Sequence, residues 1–117
     1  MKNFELHEFD SPDLEGSGQN MQRTTLDKLD KAREIADIPF FITSGYRTPR
    51  HNEKVGGVNG SSHTKGYAVD ISAHSSVQKF KIIDSALKVG FNRIGISKSF
   101  IHLDDDPDKA ANVIWTY

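Results

Sequence analysis

The sequence contains no cysteine among its 117 residues. A disulfide framework and a thiolate metal site are therefore both excluded, and any metal ion would have to be held by histidine, aspartate or glutamate. An excess of charge of either sign is also lacking, since 15 basic residues stand against 16 acidic ones. This balance argues against a general nucleic-acid-binding protein, so we expect no nucleic-acid partner.

Long apolar runs are absent as well. No segment approaches the roughly 20 apolar residues that a membrane-spanning helix needs, so we expect no membrane span. The opening residues lack the apolar segment of a signal peptide. The chain length suits one monomeric domain over residues 1–117, with its core in about residues 21–117 and an N-terminal extension in residues 1–20.

Apolar residues recur at helical spacing in two segments, 22–36 and 77–90. The first is predicted to begin at Thr24 or Thr25 as its N-cap and to end before Pro39. The second is predicted to end at Gly90. Its buried face is expected to comprise Val77, Phe80, Ile83 and Leu87.

Five short segments have the composition or alternation of β-strands. They are residues 39–44, 67–72, 92–97, 99–104 and 113–117, and a tight turn is expected at residues 97–99. The polar segment 45–66 is interpreted as a long loop. This order of elements predicts an α+β fold, a mainly antiparallel sheet with helices packed on one side.

Three residues in this framework could bind a metal ion. His63 and Asp70 lie on either side of Gly66, which can take the positive φ needed to fold the segment back on itself. Strand alternation places His102 opposite Ile101 and Leu103, which we expect to face the core, so His102 should face a cleft. Two histidines and one aspartate would leave a fourth position for water, as in catalytic rather than structural zinc sites.

The spacing alone leaves another interpretation open. His63 could be a solvated loop residue, Asp70 a capping or ion-paired carboxylate, and His102 a half-buried histidine with an ordinary hydrogen-bond partner. A zinc-free structural domain would follow if these three side chains lay apart. His51 and His74 are further histidines that could reach the cleft, although exposure is expected for both.

A longer pattern resembles the zinc D-alanyl-D-alanine carboxypeptidase family. It consists of Ser-Gly-Tyr-Arg at residues 44–47, Ser-x-His-x-x-Gly-x-Ala-x-Asp at residues 61–70, and a later strand histidine, His102. The resemblance covers about residues 26–104. The family includes phage L-alanyl-D-glutamate endolysins and is related to D-Ala-D-Ala dipeptidases and to the signalling domain of hedgehog proteins.

The resemblance implies roles for individual residues. His63, Asp70 and His102 match the ligands of one zinc ion per chain. Arg47 matches an arginine that stabilises the polarised carbonyl or binds a substrate carboxylate, a role that suits a permanently charged planar donor. Ser61 matches a residue that can hydrogen-bond the terminal carboxylate of the substrate, although turn formation would explain it equally well.

The sequence departs from the family at one position. Many relatives carry the general base three residues before the last zinc histidine, where this chain has Ser99. Asp104 shares a strand face with His102, about 6.5 Å along the strand, and is the expected replacement. The side chains of Asp105 and Asp106 are expected to point less directly at a zinc-bound water.

The resemblance thus implies zinc-dependent hydrolysis of a peptide bond in bacterial cell-wall peptide, by a D,D- or L,D-type carboxypeptidase or endopeptidase that uses a metal-activated water. The expected partner is the peptidoglycan stem peptide. Without a signal peptide, the protein is expected to be cytoplasmic or delivered by a phage to the wall. Ser99 keeps a second class of function open, a non-catalytic hedgehog-like binding module that contains zinc.

Overall fold

The computed structural model describes all residues from 1 to 117. The helices are α1 (Arg23–Ala36), α2 (Pro49–Lys54) and α3 (Ser76–Val89), and shorter 3₁₀ turns lie at Leu6–Phe9, Ser17–Asn20 and Ser62–Lys65. The strands are β1 (Ile42–Ser44), β2 (Ala68–Ser72), β3 (Arg93–Ile96), β4 (Phe100–Asp104) and β5 (Val113–Thr116). No helix is both long enough and apolar enough to span a bilayer.

The strands form one sheet in the order β1-β2-β4-β3-β5. All neighbours are antiparallel except β3 and β5, which are parallel. The apolar face of the sheet packs against α1 and α3 through a continuous core that includes Leu29, Ile82, Ile101 and Leu103. The predicted α+β class, with a mainly antiparallel sheet and helices on one side, is confirmed.

The two long helices begin and end for different local reasons. α3 starts with a capping box between Ser75 and Gln78. It ends at Gly90, where the sequence predicts its end. The N-cap of α1 is Gln22, two residues before Thr24 and three before Thr25, the two predicted N-caps. Thr25 lies inside α1, buried, and its hydroxyl donates to Asp105.

Two local predictions are wrong. The segment 45–66 is not one loop, because Thr48 caps α2 with Pro49 in the first turn, an arrangement that favours a helix start. The predicted buried face of α3 is exposed at Val77, Phe80 and Leu87. Its buried side chains are instead Ile82, Ser85 and Ala86, because the small serine and alanine let the helix pack closely in the core.

The first twenty residues contact the rest of the molecule through aromatic side chains. Phe4 and Phe9 belong to the same core cluster as the helices and strands. The backbone N–H of Tyr46 donates to the carbonyl of Phe9 at 2.9 Å. This segment therefore helps to fix the chain just before Arg47.

The polar face of the sheet carries one row of directly paired residues that crosses all strands. In sheet order they are Ser44, Asp70, His102, Gly95 and Trp115. Paired residues in a sheet project to the same side, so the row lies opposite the core. We call it the cross-sheet row.

Candidate metal centre

The structure brings His63, Asp70 and His102 together. Asp70 and His102 are directly paired in the cross-sheet row, and His63 comes from the 3₁₀ turn Ser62–Lys65. One potential ligand atom from each residue lies within 4.8 Å of the others. All three side chains are buried.

Gly66 makes this meeting possible by reversing the chain between His63 and Asp70. It caps the 3₁₀ turn with φ of 79°, in the left-handed region that glycine adopts without strain. A Cβ at this position would also overlap the carbonyl oxygen of Asn20. The predicted reversal at Gly66 is confirmed.

Each histidine is oriented by a partner on the ring edge away from the centre. His63 Nδ1 lies 2.8 Å from the Gly45 carbonyl oxygen, which can only accept, so Nδ1 carries the proton and Nε2 is free. His102 Nε2 lies 2.6 Å from Asp104 Oδ2, a carboxylate oxygen that likewise accepts the ring proton, so Nδ1 of His102 faces the centre of the cluster. These contacts orient one lone pair of each ring toward the centre.

Asp70 is oriented in a comparable way. Arg47 Nη2 lies 3.4 Å from Asp70 Oδ2, on one side of the carboxylate. The other oxygen, Oδ1, lies 2.9 Å from His102 Nδ1 and 3.3 Å from His63 Nε2. Two imidazole nitrogens and one carboxylate oxygen thus converge, which is the donor set of a catalytic zinc site. The residues fit a zinc ion.

The electrostatics of the cluster match those of a cation site. Burial raises the pKa of Asp70, but hydrogen bonds with His102 and His63 outweigh it and hold that pKa well below its usual range. Burial lowers the pKa of His102, but contacts with Asp104 and Asp70 outweigh it and raise that pKa. Asp70 therefore stays ionised, and a metal ion would compete with a proton at His102.

Arg47 is held by three acceptors at the β1 end of the cluster. Besides Asp70, its Nε donates to Ser44 Oγ at 3.0 Å and its Nη1 to Asn52 Oδ1 at 3.1 Å. Asn52 is a buried residue of α2. Sequence reasoning missed both Ser44 and Asn52 as supports for Arg47. For Asn52 the reason is that a helix within segment 45–66 was not expected.

Asp104 is buried and has three partners. Besides the contact with His102, Asp104 forms an ion pair with Arg93, in which Oδ1 lies 2.9 Å from Nε. The Nε–H bond is not directed at this oxygen, so the contact is not a hydrogen bond. Oδ1 also accepts from the backbone N–H of Asp106 at 3.1 Å. The carboxylate thus contacts the edge of the His102 ring that faces away from Asp70.

The remaining candidates lie in varied positions. Ser61 is buried beside the cluster, where its hydroxyl accepts from the backbone N–H of His63 at 3.3 Å. Ser99 is exposed in the turn between β3 and β4 and does not line the cleft.

His74 is exposed, and His51 lines a separate cavity. Asp105 and Asp106 form ion pairs with Lys28 and Lys65.

The cluster lies in an open cleft of about 440 Å³. One wall comes from residues 55–58 and Ser61, and the other from aromatic side chains of β4 and β5. Sequence reasoning missed several lining residues: Arg93, Phe100, Lys109, Trp115 and Tyr117. Alternation along β5 places Trp115 and Tyr117 on one face, but only the sheet order shows that this face borders His102.

Comparison with known proteins adds a family to this geometry. Residues 2–104 match the family described as Peptidase M15, whose members are zinc metallopeptidases like the D-Ala-D-Ala carboxypeptidases. No curated protein matches the sequence significantly. The family resemblance inferred from residues 44–47, 61–70 and 102 is thereby confirmed.

Proposed function

Since the chain belongs to the peptidase M15 family, we propose that it hydrolyses a peptide bond in bacterial cell-wall peptide with one zinc ion held by His63, Asp70 and His102. The observation that carries this proposal is the convergence of three ligand atoms whose side chains are each oriented by a second partner. Such support is typical of metal sites.

The charges of the cleft support an acidic peptide as substrate. Arg47, Arg93 and Lys109 all line it, and Lys109 forms no ion pair. Stem peptides of peptidoglycan offer carboxylates that such cations would attract. The open shape accommodates a chain end or a longer peptide, so both carboxypeptidase and endopeptidase action are within this proposal.

A bound zinc ion would polarise the scissile carbonyl and lower the pKa of water. Arg47 donates one N–H to each of three acceptors, on Ser44, Asn52 and Asp70. Because a guanidinium has five N–H groups, two remain for the substrate carbonyl or carboxylate. The Ser61 hydroxyl proton is likewise free to donate to a substrate carboxylate, since this oxygen only accepts from His63.

Asp104 is the other carboxylate of the cleft. Its contacts with His102, Arg93 and the Asp106 N–H favour a positioning role for His102 over the proton acceptance that its strand position suggested. A general base would have to face the reacting water, whereas Asp104 faces the outer edge of the ring.

This geometry also favours a second candidate function, the hedgehog-like binding module. Asp70 and Asp104 are the only carboxylate residues that line the cleft, and the structure commits both to other contacts. A zinc site without a free carboxylate base could bind a wall peptide without cleaving it.

Digestion of purified muropeptides with zinc, followed by mass analysis, separates the two functions. We expect the wild type to release peptide fragments, and chelator or His102→Ala to abolish release. His74→Ala, a change at an exposed histidine, is the matched control and should leave activity unchanged. A zinc-loaded wild type that binds muropeptides without cleaving them would establish the binding module instead.

A further inference from the structure

Two of the three aromatic residues that line the cleft, Trp115 and Tyr117, lie beyond the family match. The match ends at Asp104, whereas β5 spans Val113–Thr116. Trp115 of β5 is paired with Gly95, which is paired with His102 on its other side. The Trp115 and His102 rings are 5.4 Å apart between centroids.

Gly95 leaves space that two polar atoms occupy. A Cβ at this position would lie 2.7 Å from Trp115 Nε1 and 2.9 Å from the Tyr117 hydroxyl. Any other residue would therefore displace both groups. The Tyr117 ring is also held by Phe100, at a centroid distance of 5.2 Å. The phenol oxygen thus lies over β3, one strand from His102.

The Tyr117 hydroxyl is a donor at neutral pH. Tyr117 is exposed as a residue, but partial burial of its hydroxyl is the main cause that raises its pKa; the neighbouring Trp115 N–H opposes the rise, and the Asp70 carboxylate adds to it. The indole N–H beside it can only donate, so it cannot accept the phenolic proton, which remains for another acceptor.

Resting on the function proposed above, we propose that Tyr117 is a catalytic residue whose hydroxyl donates a hydrogen bond to the oxygen of the scissile carbonyl. In hydrolysis, water oxygen adds to the carbonyl carbon, the C–N bond breaks, and a water proton leaves with the amine. Negative charge builds on the carbonyl oxygen between these events, and a preorganised donor stabilises it without transferring its proton.

The two proposed donors flank the metal ligands from opposite ends of the cross-sheet row. Arg47 contacts Ser44 and Asp70 at the β1 end, whereas Tyr117 lies over Gly95 at the β5 end. A carbonyl between them would meet a donor on each side. Trp115 and Gly95 act as positioning residues for the phenol.

The first test compares Tyr117→Phe with Tyr67→Phe, a phenol outside the cleft lining. We expect Tyr117→Phe to lower kcat/KM on muropeptides by about 10²-fold, as loss of one oxyanion donor does. Zinc content and Tm should stay at wild-type values, and Tyr67→Phe should leave the rate within about 3-fold. Because phenylalanine keeps the ring, an active Tyr117→Phe would overturn the proposal.

The second test does not depend on turnover. Trp115 is the only tryptophan, so its fluorescence reports binding at this wall. A phosphinate analogue of alanyl-alanine, whose tetrahedral oxygens imitate the charged carbonyl oxygen, is titrated into zinc-loaded protein. We expect Tyr117→Phe to raise its Kd at least 10-fold and Tyr67→Phe to leave it unchanged.

The two tests separate the inference from the proposed function. If the wild type cleaves no muropeptide, the proposed function fails and the phosphinate titration alone decides the donor role of Tyr117. Equal phosphinate Kd values for wild type and Tyr117→Phe, or no phosphinate binding to the zinc-loaded wild type, would overturn the donor role.

Discussion

Asp104 illustrates how a contact, rather than a position in sequence, determines the role of a residue. Strand alternation places it on the face of His102, and this pattern suggested a proton acceptor for the reacting water. In the structure its carboxylate accepts from His102 Nε2 and pairs with Arg93. The first contact favours the proton on Nε2 and leaves Nδ1 for a metal ion, and the second holds the carboxylate that makes it.

At the residue scale, we predict that Asp104→Asn lowers zinc affinity by about 10- to 100-fold, as loss of a carboxylate behind a metal-binding histidine does. The neutral amide would weaken both the His102 contact and the Arg93 ion pair. Competition with a zinc-binding dye measures the effect, and Asp108→Asn, at an exposed carboxylate that pairs only with Lys65, is the control. Wild-type affinity with lost activity would instead make Asp104 the proton acceptor.

At the scale of elements, α3 shows why helical periodicity alone does not identify a buried face. The helix carries one apolar row at Val77, Phe80 and Leu87, and another around Ile82 and Ala86. Both rows have helical spacing. Packing against α1 and the sheet selects the second row, because its small side chains allow close approach.

The two rows of α3 should therefore respond differently to substitution. Ile82 is fully buried, so Ile82→Ala should lower the free energy of unfolding by about 2–5 kcal/mol. Phe80 is 71% exposed, so Phe80→Ser should change it by less than about 0.5 kcal/mol. Urea unfolding of both variants measures the difference, and a large loss in Phe80→Ser would mean that the face is covered in solution.

At the scale of the whole molecule, the metal centre joins parts that are distant in sequence. The turn that carries His63 is tied to the end of β4 by buried Asp106, which accepts from Ser62 at 2.7 Å and lies 2.7 Å from Lys65 Nζ. Ligands from this turn, β2 and β4 come together only in the folded chain. Metal binding and acid stability should therefore both depend on the complete fold.

We predict that zinc removal lowers Tm. An ion that binds only the native state stabilises it by about 4 kcal/mol at a free concentration 1,000 times its Kd. Calorimetry with zinc and with chelator should show a lower Tm in chelator, alongside metal analysis near one zinc per chain. His102→Ala should show no such difference, and an unchanged wild-type Tm would contradict zinc binding by the native state.

Acid should remove the stabilisation that Asp106 provides. Burial raises its pKa, but Lys65 and Ser62 outweigh burial and lower the pKa from its usual 3.8. A depressed folded-state pKa means that this stabilisation is present above about pH 4 and is lost as pH falls through the folded pKa. Asp106→Asn should thus destabilise the protein at pH 7 and progressively less below pH 4.

Urea unfolding of both proteins from pH 7 to pH 3 measures this convergence. Asp84→Asn, which removes the partly exposed partner of Lys88, serves as the control and should change stability little at any pH. A constant gap between wild type and Asp106→Asn down to pH 3 would show that the Asp106 charge does not contribute.

The sequence by itself determined the features that depend on nearby residues. Alternation in β2 and β4 identified the cleft-facing side of Asp70 and His102, and glycine at position 66 identified the chain reversal. Helical spacing located α1 and α3 to within a few residues. These features depend on backbone geometry over a few residues, which the local residue types dictate.

Only the tertiary structure decided which distant residues meet. The strand order placed Gly95 and Trp115 beside His102, the packing of α1 selected the buried row of α3, and the contact with Arg93 and His102 changed the expected role of Asp104. Strand order and helix rotation are set by the burial of apolar surface across the whole chain, which no local pattern records.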